Sequence, residues 1–397
     1  MAFQSSVNPA QLTQLGQVNG AGDKRATYLK LFSGEMFKGF QNNTIARDLV
    51  MKRVLKNGKS MQFIYTGRTT AEYHTPGNSI LGDTNGAPPV AEKTITIDDL
   101  LISSAFVYEL DEVLSHYDLR SEISRKIGFA LAEKYDRLIF RAIAKGSRVA
   151  SAIQQLTQAD GTTVVSMEEP GGTQVQVGSG SGSEADAFDA GKLTAAFFEA
   201  AAAMDEKGVS QDGRVGVLNP RQYYSLIQEV GNNGLINRDE QGTGLQSGKG
   251  VVEIAGIKIY KSMNIPFLGR YGTKYGGTTG KVDPGNTGDF VNPAIEDGGS
   301  DGGGAAGQNN NYGEANAFDT QCGLIFQREA AACVEAIAPQ VQVTSGDVSV
   351  IYQGDVILGR LAMGADFLNP AACVGLHVTN TAPTAFGSTY PANNSAA

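Results

Sequence analysis

The sequence predicts an α+β chain organised around one long helix, and three observations carry that reading. The stretch from His116 to Arg148, HYDLRSEISRKIGFALAEKYDRLIFRAIAKGSR, places apolar residues mostly three or four apart. Two runs rich in β-branched and aromatic residues precede it, separated by a connector full of Gly, Pro and Asn. After residue 190 helical and strand patterns alternate, and strand-like runs return towards the C-terminus.

Residues 1–56 carry short helical hints, LKLFSGEMFKGF and NTIARDLVMKRVL, with too little apolar periodicity for a core of their own. Through Lys59, nine basic residues stand against three acidic ones, so this is a basic arm that wants a partner surface. Residues 57–112 hold the two β-rich runs, SMQFIYTGRTTAEY and EKTITIDDLLISSAFVYEL. The connector HTPGNSILGDTNGAPPVA far exceeds the about two to five residues of a hairpin loop. The spacing therefore predicts a long two-stranded flap, and such a ribbon is at best marginally stable alone in water.

Residues 113–170 open with the helix. Asp118 is placed to cap its start and Gly146 its end, and roughly 28 residues at ~1.5 Å each span about 40 Å. Residues 171–345 read as a compact α/β domain that begins at a Gly/Ser-rich connector, 171–192. Its elements are the helix FDAGKLTAAFFEAAAAMDEKG, the strand RVGVLN, the helix PRQYYSLIQEV and the strands of VVEIAGIKIYKS. Asn219 suits the cap of the second helix and Pro220 its first turn, where a missing N–H costs nothing. Within this domain residues 270–320 read as a solvated, acidic Gly/Asn-rich insertion, with two basic and seven acidic residues across 271–320. Strands resume in QCGLIFQREAAACVEAI, residues 346–380 return two further strand runs, and 381–397 is a tail.

The formal net charge of -9 is the wrong sign for a protein whose main task is to grip phosphate. Cys322, Cys333 and Cys373 form no close pair, which argues against a disulfide framework and for folding in a reducing cytoplasm. No run of 18 uncharged apolar residues occurs, and the start MAFQSSVNPAQLTQLGQ has no basic segment followed by an apolar one, so no membrane partner is expected.

Chemistry-bearing patterns are weak. His74, His116 and His377 have no Cys, Asp or Glu at metal-ligand spacing. GLQSGKG departs from a phosphate loop in its glycine spacing and in Gly250, and GGGAAG lies in low-complexity sequence with no strand before it. The carboxylates Asp98 and Asp99, and Glu109, Asp111 and Glu112, read as solvated surface. No catalytic residue, cofactor or metal site is assigned.

The order of parts, together with GDKRATYLKLFSGEMFKGF, GKSMQFIYTGRTTAEYHTPG and KTITIDDLLISSAFVYELDEVLSHYDLRSEIS, resembles the major capsid proteins of T-seven-like short-tailed phages (podoviruses), which have the HK-97-like fold. The likeness is most specific from residue 22 to about 150 and holds in outline to about 375. It implies that 1–56 is an N-terminal arm, 57–112 an extended hairpin or E-loop, 113–170 a spine helix with the first part of a P-domain, 171–345 an A-domain and 346–380 returning P-domain strands. It also implies a non-enzymatic structural protein that self-assembles into hexamers and pentamers of an icosahedral head around double-stranded DNA. The implied partners are further copies of itself, a separate scaffolding protein, a portal protein at one vertex and packaged DNA held non-specifically. The implied location is the virion, with assembly in the host cytoplasm and no large maturation cleavage.

On that reading the expected contacts between subunits lie on the arm, at Lys24, Arg25, Arg47, Lys52, Arg53 and Lys59, and on the flap, at Phe63, Tyr65, Arg68, Glu72 and Tyr73. A cellular nanocompartment shell and an enzyme with a flexible flap are the rival readings.

Overall fold

The protein, seen in a computed structural model, is described over residues 45–66, 73–77, 90–108, 119–149, 170–178, 184–228, 253–266, 309–310, 312, 318, 320–343 and 353–378. Lys24, Arg25, Arg68 and Glu72 lie outside these residues, as do Asp118, Glu109, Asp111, Glu112, most of the acidic insertion and the tail. The chain divides into two compact units.

The smaller unit takes in residues 100–134 and 337–362 among those described. Strand β4 (Leu101–Tyr108) pairs antiparallel with β11 (Gly354–Phe367), from Leu101 opposite Leu361 to Tyr108 opposite Gly354. Helix α2 (Leu119–Gly146) lays Ile123, Ile127 and Leu131, spaced four apart, against Val107 and Ile357. The helix has the expected 28 residues. Its last twelve residues, from Tyr135, belong to the larger unit.

The larger unit is built on a six-stranded mixed sheet in the order β5 (Thr173–Gln176), β12 (Cys373–His377), β9 (Gln321–Gln327), β6 (Arg214–Leu218), β8 (Ile257–Lys261) and β7 (Glu253–Ile254). Helix α3 (Ala190–Glu206) buries Leu193, Phe197, Ala200 and Met204, three and four residues apart. Asp189 caps it by accepting from the amides of Gly191 and Lys192. Helix α4 (Pro220–Gln228) begins on Pro220, and Asn219 Oδ1 accepts from Arg221 N while Asn219 N donates to Gln222 Oε1, a reciprocal cap. The three cysteines are buried free thiols.

Two further pieces belong to this unit. Helix α1 (Ala46–Leu49) leads into β1 (Met51–Val54), which runs parallel to β10 (Ala331–Val343) with Met51 opposite Ala332. Strands β2 (Ser60–Thr66) and β3 (Val90–Thr96) form a separate two-stranded ribbon, from Ser60 opposite Thr96 to Thr66 opposite Val90. The run expected as one arm of the flap is therefore two strands. It breaks at residues 97–100, where Asp98 N donates to Met363 O, and β4 pairs elsewhere.

The base of the ribbon is seated where a side chain would not fit. A Cβ on Gly364 would run into the backbone carbonyl of Thr96, the last residue of β3. Gly364→Ala is expected to destabilise the protein by about 1–3 kcal/mol. Thermal unfolding checks this, and an unchanged midpoint would show that the ribbon is not held at this approach.

Candidate assembly interface

The alternation of β2 and β3 sorts the ribbon into two faces. Met61 and Phe63 share one face with their cross-strand partners Ile95 and Lys93, and Ile95 and Lys93 are buried. Gln62, Ile64 and Glu92 share the other and are exposed, Ile64 by 75%.

A lysine on the inward face needs a counter-charge, because burying an unpaired ammonium is prohibitive. Lys93 Nζ lies 2.6 Å from Asp366 Oδ2 and 3.9 Å above the Phe367 ring. Lys145, near the end of α2, puts its Nζ 3.7 Å from Asp366 Oδ1. Burial pushes the Asp366 carboxyl up, but the charges of Lys145 and Lys93 outweigh it and hold the group below the ordinary aspartate value. Burial lowers Lys145 in turn. One carboxylate thus ties the ribbon, the helix end and β11 together.

A second tie lies beside it. Asp98 Oδ1 accepts from the amides of Asn309 (2.7 Å) and Asn310 (3.1 Å), and Tyr312 OH donates to Asp98 Oδ2 at 2.5 Å. The Asn310 side chain pairs with Thr96 as a strand would, accepting from its N–H and donating to its carbonyl. The sequence reading of Asp98 as solvated surface is corrected here: it is a half-buried acceptor that closes the end of β3. Asn310 and Tyr312, read as part of a solvated insertion, are buried.

The arm is anchored by two carboxylates. Asp136 accepts from the amides of Ile45 (2.9 Å) and Ala46 (3.1 Å), which satisfies N–H groups at the buried start of α1. Glu335 receives Arg47 in a two-pronged contact, Nε to Oε1 at 2.9 Å and Nη2 to Oε2 at 3.1 Å, and Tyr135 OH donates to Oε1 at 2.8 Å. Burial pushes the Glu335 carboxyl up, yet the hydrogen bonds from Arg47 and Tyr135 bring it below its ordinary value. Burial drives the neighbouring Cys333 thiol up to about 12, so it stays protonated.

The expected contact residues fall into distinct settings. Arg47 is engaged with Glu335 in its own chain, and Lys52 Nζ stands 3.8 Å from the same carboxylate. Arg53 and Lys59 are exposed, Phe63 is half-buried, and Tyr73 is fully exposed. Tyr65 lies in β2, with its side chain outside the described set. Sequence reasoning missed Lys93, Asp366, Lys145, Glu335 and Asp136.

The ribbon thus has an inward face held by the chain's own core and an outward face left in solvent. The fold is that of the HK-97-like phage capsid proteins. The model of the Gp10A-like major capsid protein family matches residues 62–377, and the chain belongs to that family. It is a phage major capsid protein, a structural component of the capsid shell and not an enzyme. The major capsid protein of Escherichia phage T7 is 28% identical over 361 residues, which cover 89% of this chain and 92% of that protein. The major capsid protein of Enterobacteria phage T3 is 35% identical over 132 residues, 33% of this chain and 38% of that one. Among solved structures, the capsid of cyanophage P-SCSP1u has a TM-score of 0.67 and 29% identity, with 92% of this chain and 98% of that one covered. The mature capsid of bacteriophage PhiM1, at a TM-score of 0.58 and 18% identity over 93% of this chain and 98% of that one, shares the fold.

The Glu335 and Asp366 carboxyls are both depressed, so their contribution is complete above the ordinary values, 4.5 for glutamate and 3.8 for aspartate, and is lost as pH falls through the lower folded-state values. Glu335→Gln is therefore expected to cost about 1–2 kcal/mol at neutral pH, discounted for the half-exposed Arg47, and to flatten the acid limb of stability. Urea unfolding at pH 7 and at pH 3 reads both effects. An acid limb as steep as that of the wild type would contradict the assignment.

Proposed function

We propose that copies of this chain assemble into hexamers and pentamers of an icosahedral phage head that encloses double-stranded DNA, with the arm and ribbon lying across neighbouring copies. The observation that carries this is the ribbon: a separate two-stranded sheet whose base is fixed in its own chain and whose other face, with Gln62, Ile64 and Glu92, is exposed. A neighbour supplies the cover that a two-stranded ribbon lacks. Contact between unlike patches on identical subunits closes rings when the rotation permits, and closure multiplies weak contacts through effective concentration.

In this reading Lys24, Arg25, Lys52, Arg53, Lys59, Phe63, Tyr65, Arg68, Glu72 and Tyr73 meet neighbouring subunits, while Arg47 seats the arm through Glu335. A separate scaffolding protein guides assembly in the host cytoplasm, a portal protein occupies one vertex, and the net charge of -9 keeps packaged DNA loosely held. The buried free thiols fit assembly in a reducing compartment.

Deleting residues 62–92 removes the ribbon yet spares Lys93 and its partner Asp366. The variant, expressed with the scaffolding protein, is expected to stay soluble and to form no shells by negative-stain microscopy, where the wild type forms them. Intact shells from the deletion would overturn the role given to the ribbon.

A further inference from the structure

Beside β1 lies an open groove of about 720 Å³. Its apolar lining is Met51, Val54, Met61, Phe63, Ile64 and Leu368, from β1, β2 and the turn after β11. Two independent features show what it is shaped to take. The first is a strand edge. Strand β1 pairs with β10 on one side, and among the described residues no strand pairs with its other side. Leu55 N donates to Glu335 O, so the peptide groups of Lys52 and Val54, out of phase with Leu55, point to the open side. An extended chain added there gains main-chain hydrogen bonds and places alternate side chains over the apolar floor. The second feature is charge. Residues 51–59 hold Lys52, Arg53, Lys56 and Lys59, all exposed, and no acidic residue. Glu329 is the one carboxylate in the lining.

We infer that this groove receives an acidic, extended segment of a second copy of the chain as an added strand on β1. Charge complementarity within one sequence singles out a second copy. The arm through Lys59 is basic, nine residues to three, while acidic surplus is concentrated elsewhere, with seven acidic and two basic residues over 271–320 and three acidic residues between Glu109 and Glu112. Such a complementary pair on identical subunits makes a head-to-tail contact. The bound stretch is short: four residues, the length of β1, extend to ~13 Å.

The inference rests on the self-assembly proposed above, and the experiment separates the two. Met61 is replaced by the photoreactive p-benzoylphenylalanine, with the already exposed Ile64 as a second position in case the first disturbs folding. Shells assembled from a mixture of 15N-labelled and unlabelled chains, and the dispersed protein, are irradiated and the linked peptides identified by mass spectrometry. The expected result is a mixed-label product, present in shells and absent from dispersed protein, that joins the groove to an acidic segment. Its yield falls roughly fivefold in the Arg53→Glu, Lys56→Glu, Lys59→Glu triple variant, as three exposed charge pairs imply. Links only within one chain, to a non-acidic segment, to the scaffolding protein or to DNA, or no link in intact shells, would overturn the groove assignment and leave self-assembly standing. Failure of the wild type to form shells would remove both.

Discussion

The Asp366 carboxylate is the constraint on which the arrangement of the larger unit depends. It is buried, it faces Lys93 from the ribbon and Lys145 from the helix end, and both ammonium groups lie over the same Phe367 ring. Burying a charge pair costs several kcal/mol in desolvation, which is recovered only with close geometry and further hydrogen bonds. Here the Phe367 amide supplies one, donating to Asp366 Oδ1 at 2.9 Å. Shifting the ribbon would leave a buried charge uncompensated, so the ion pair holds its base in place. Asp98 extends that fixation by closing the end of β3 onto Asn309, Asn310 and Tyr312.

The same division between a satisfied inner side and an unsatisfied outer side recurs at the arm. Asp136 and Glu335 take up the start of α1 and Arg47, and β10 takes one edge of β1. Among the described residues the other edge has no partner strand, and the side chains of Arg53, Lys56 and Lys59 are exposed. Edge strands are usually blunted against such pairing, because an open row of peptide groups invites another chain. Lysines on an edge do that against unwanted partners, and they also select for an acidic one. A phage capsid subunit has use for both properties, since it must associate with its own kind through particular surfaces and not through others.

The local features were legible in the sequence because they rest on short-range rules. The apolar spacing of Ile123, Ile127 and Leu131 fixed the helix, and Asn219 with Pro220 marked the start of α4. The β-rich runs were legible as strands, and so was the pairing of the first with the start of the second, but the pairing of β4 with β11 was not. Asp98 and Asp99 looked like surface carboxylates, whereas Asp98 ends the ribbon because its donors arrive from residues 309–312, far along the chain. Nothing in a periodic pattern announces such a pairing. One signal was present: Lys93 alternates with Ile95 and Ile97 in the sequence, and a lysine in such an apolar series implies a buried acid somewhere. The sequence could not say that the acid is Asp366. Glu335 was hidden in the same way within QREAAACVEAI, where Val334 and Cys333 beside it are buried.

Hydrogen exchange, compared between dispersed subunits and assembled shells, tests the central claim most directly, because it reads the ribbon and arm residue by residue. The account predicts that amides around Lys93 to Asp98, tied to Asp366 and Tyr312, are protected in both states, whereas Lys52, Val54 and the exposed side of β2 gain protection only on assembly. Equal protection of the two sets in the dispersed subunit would contradict it.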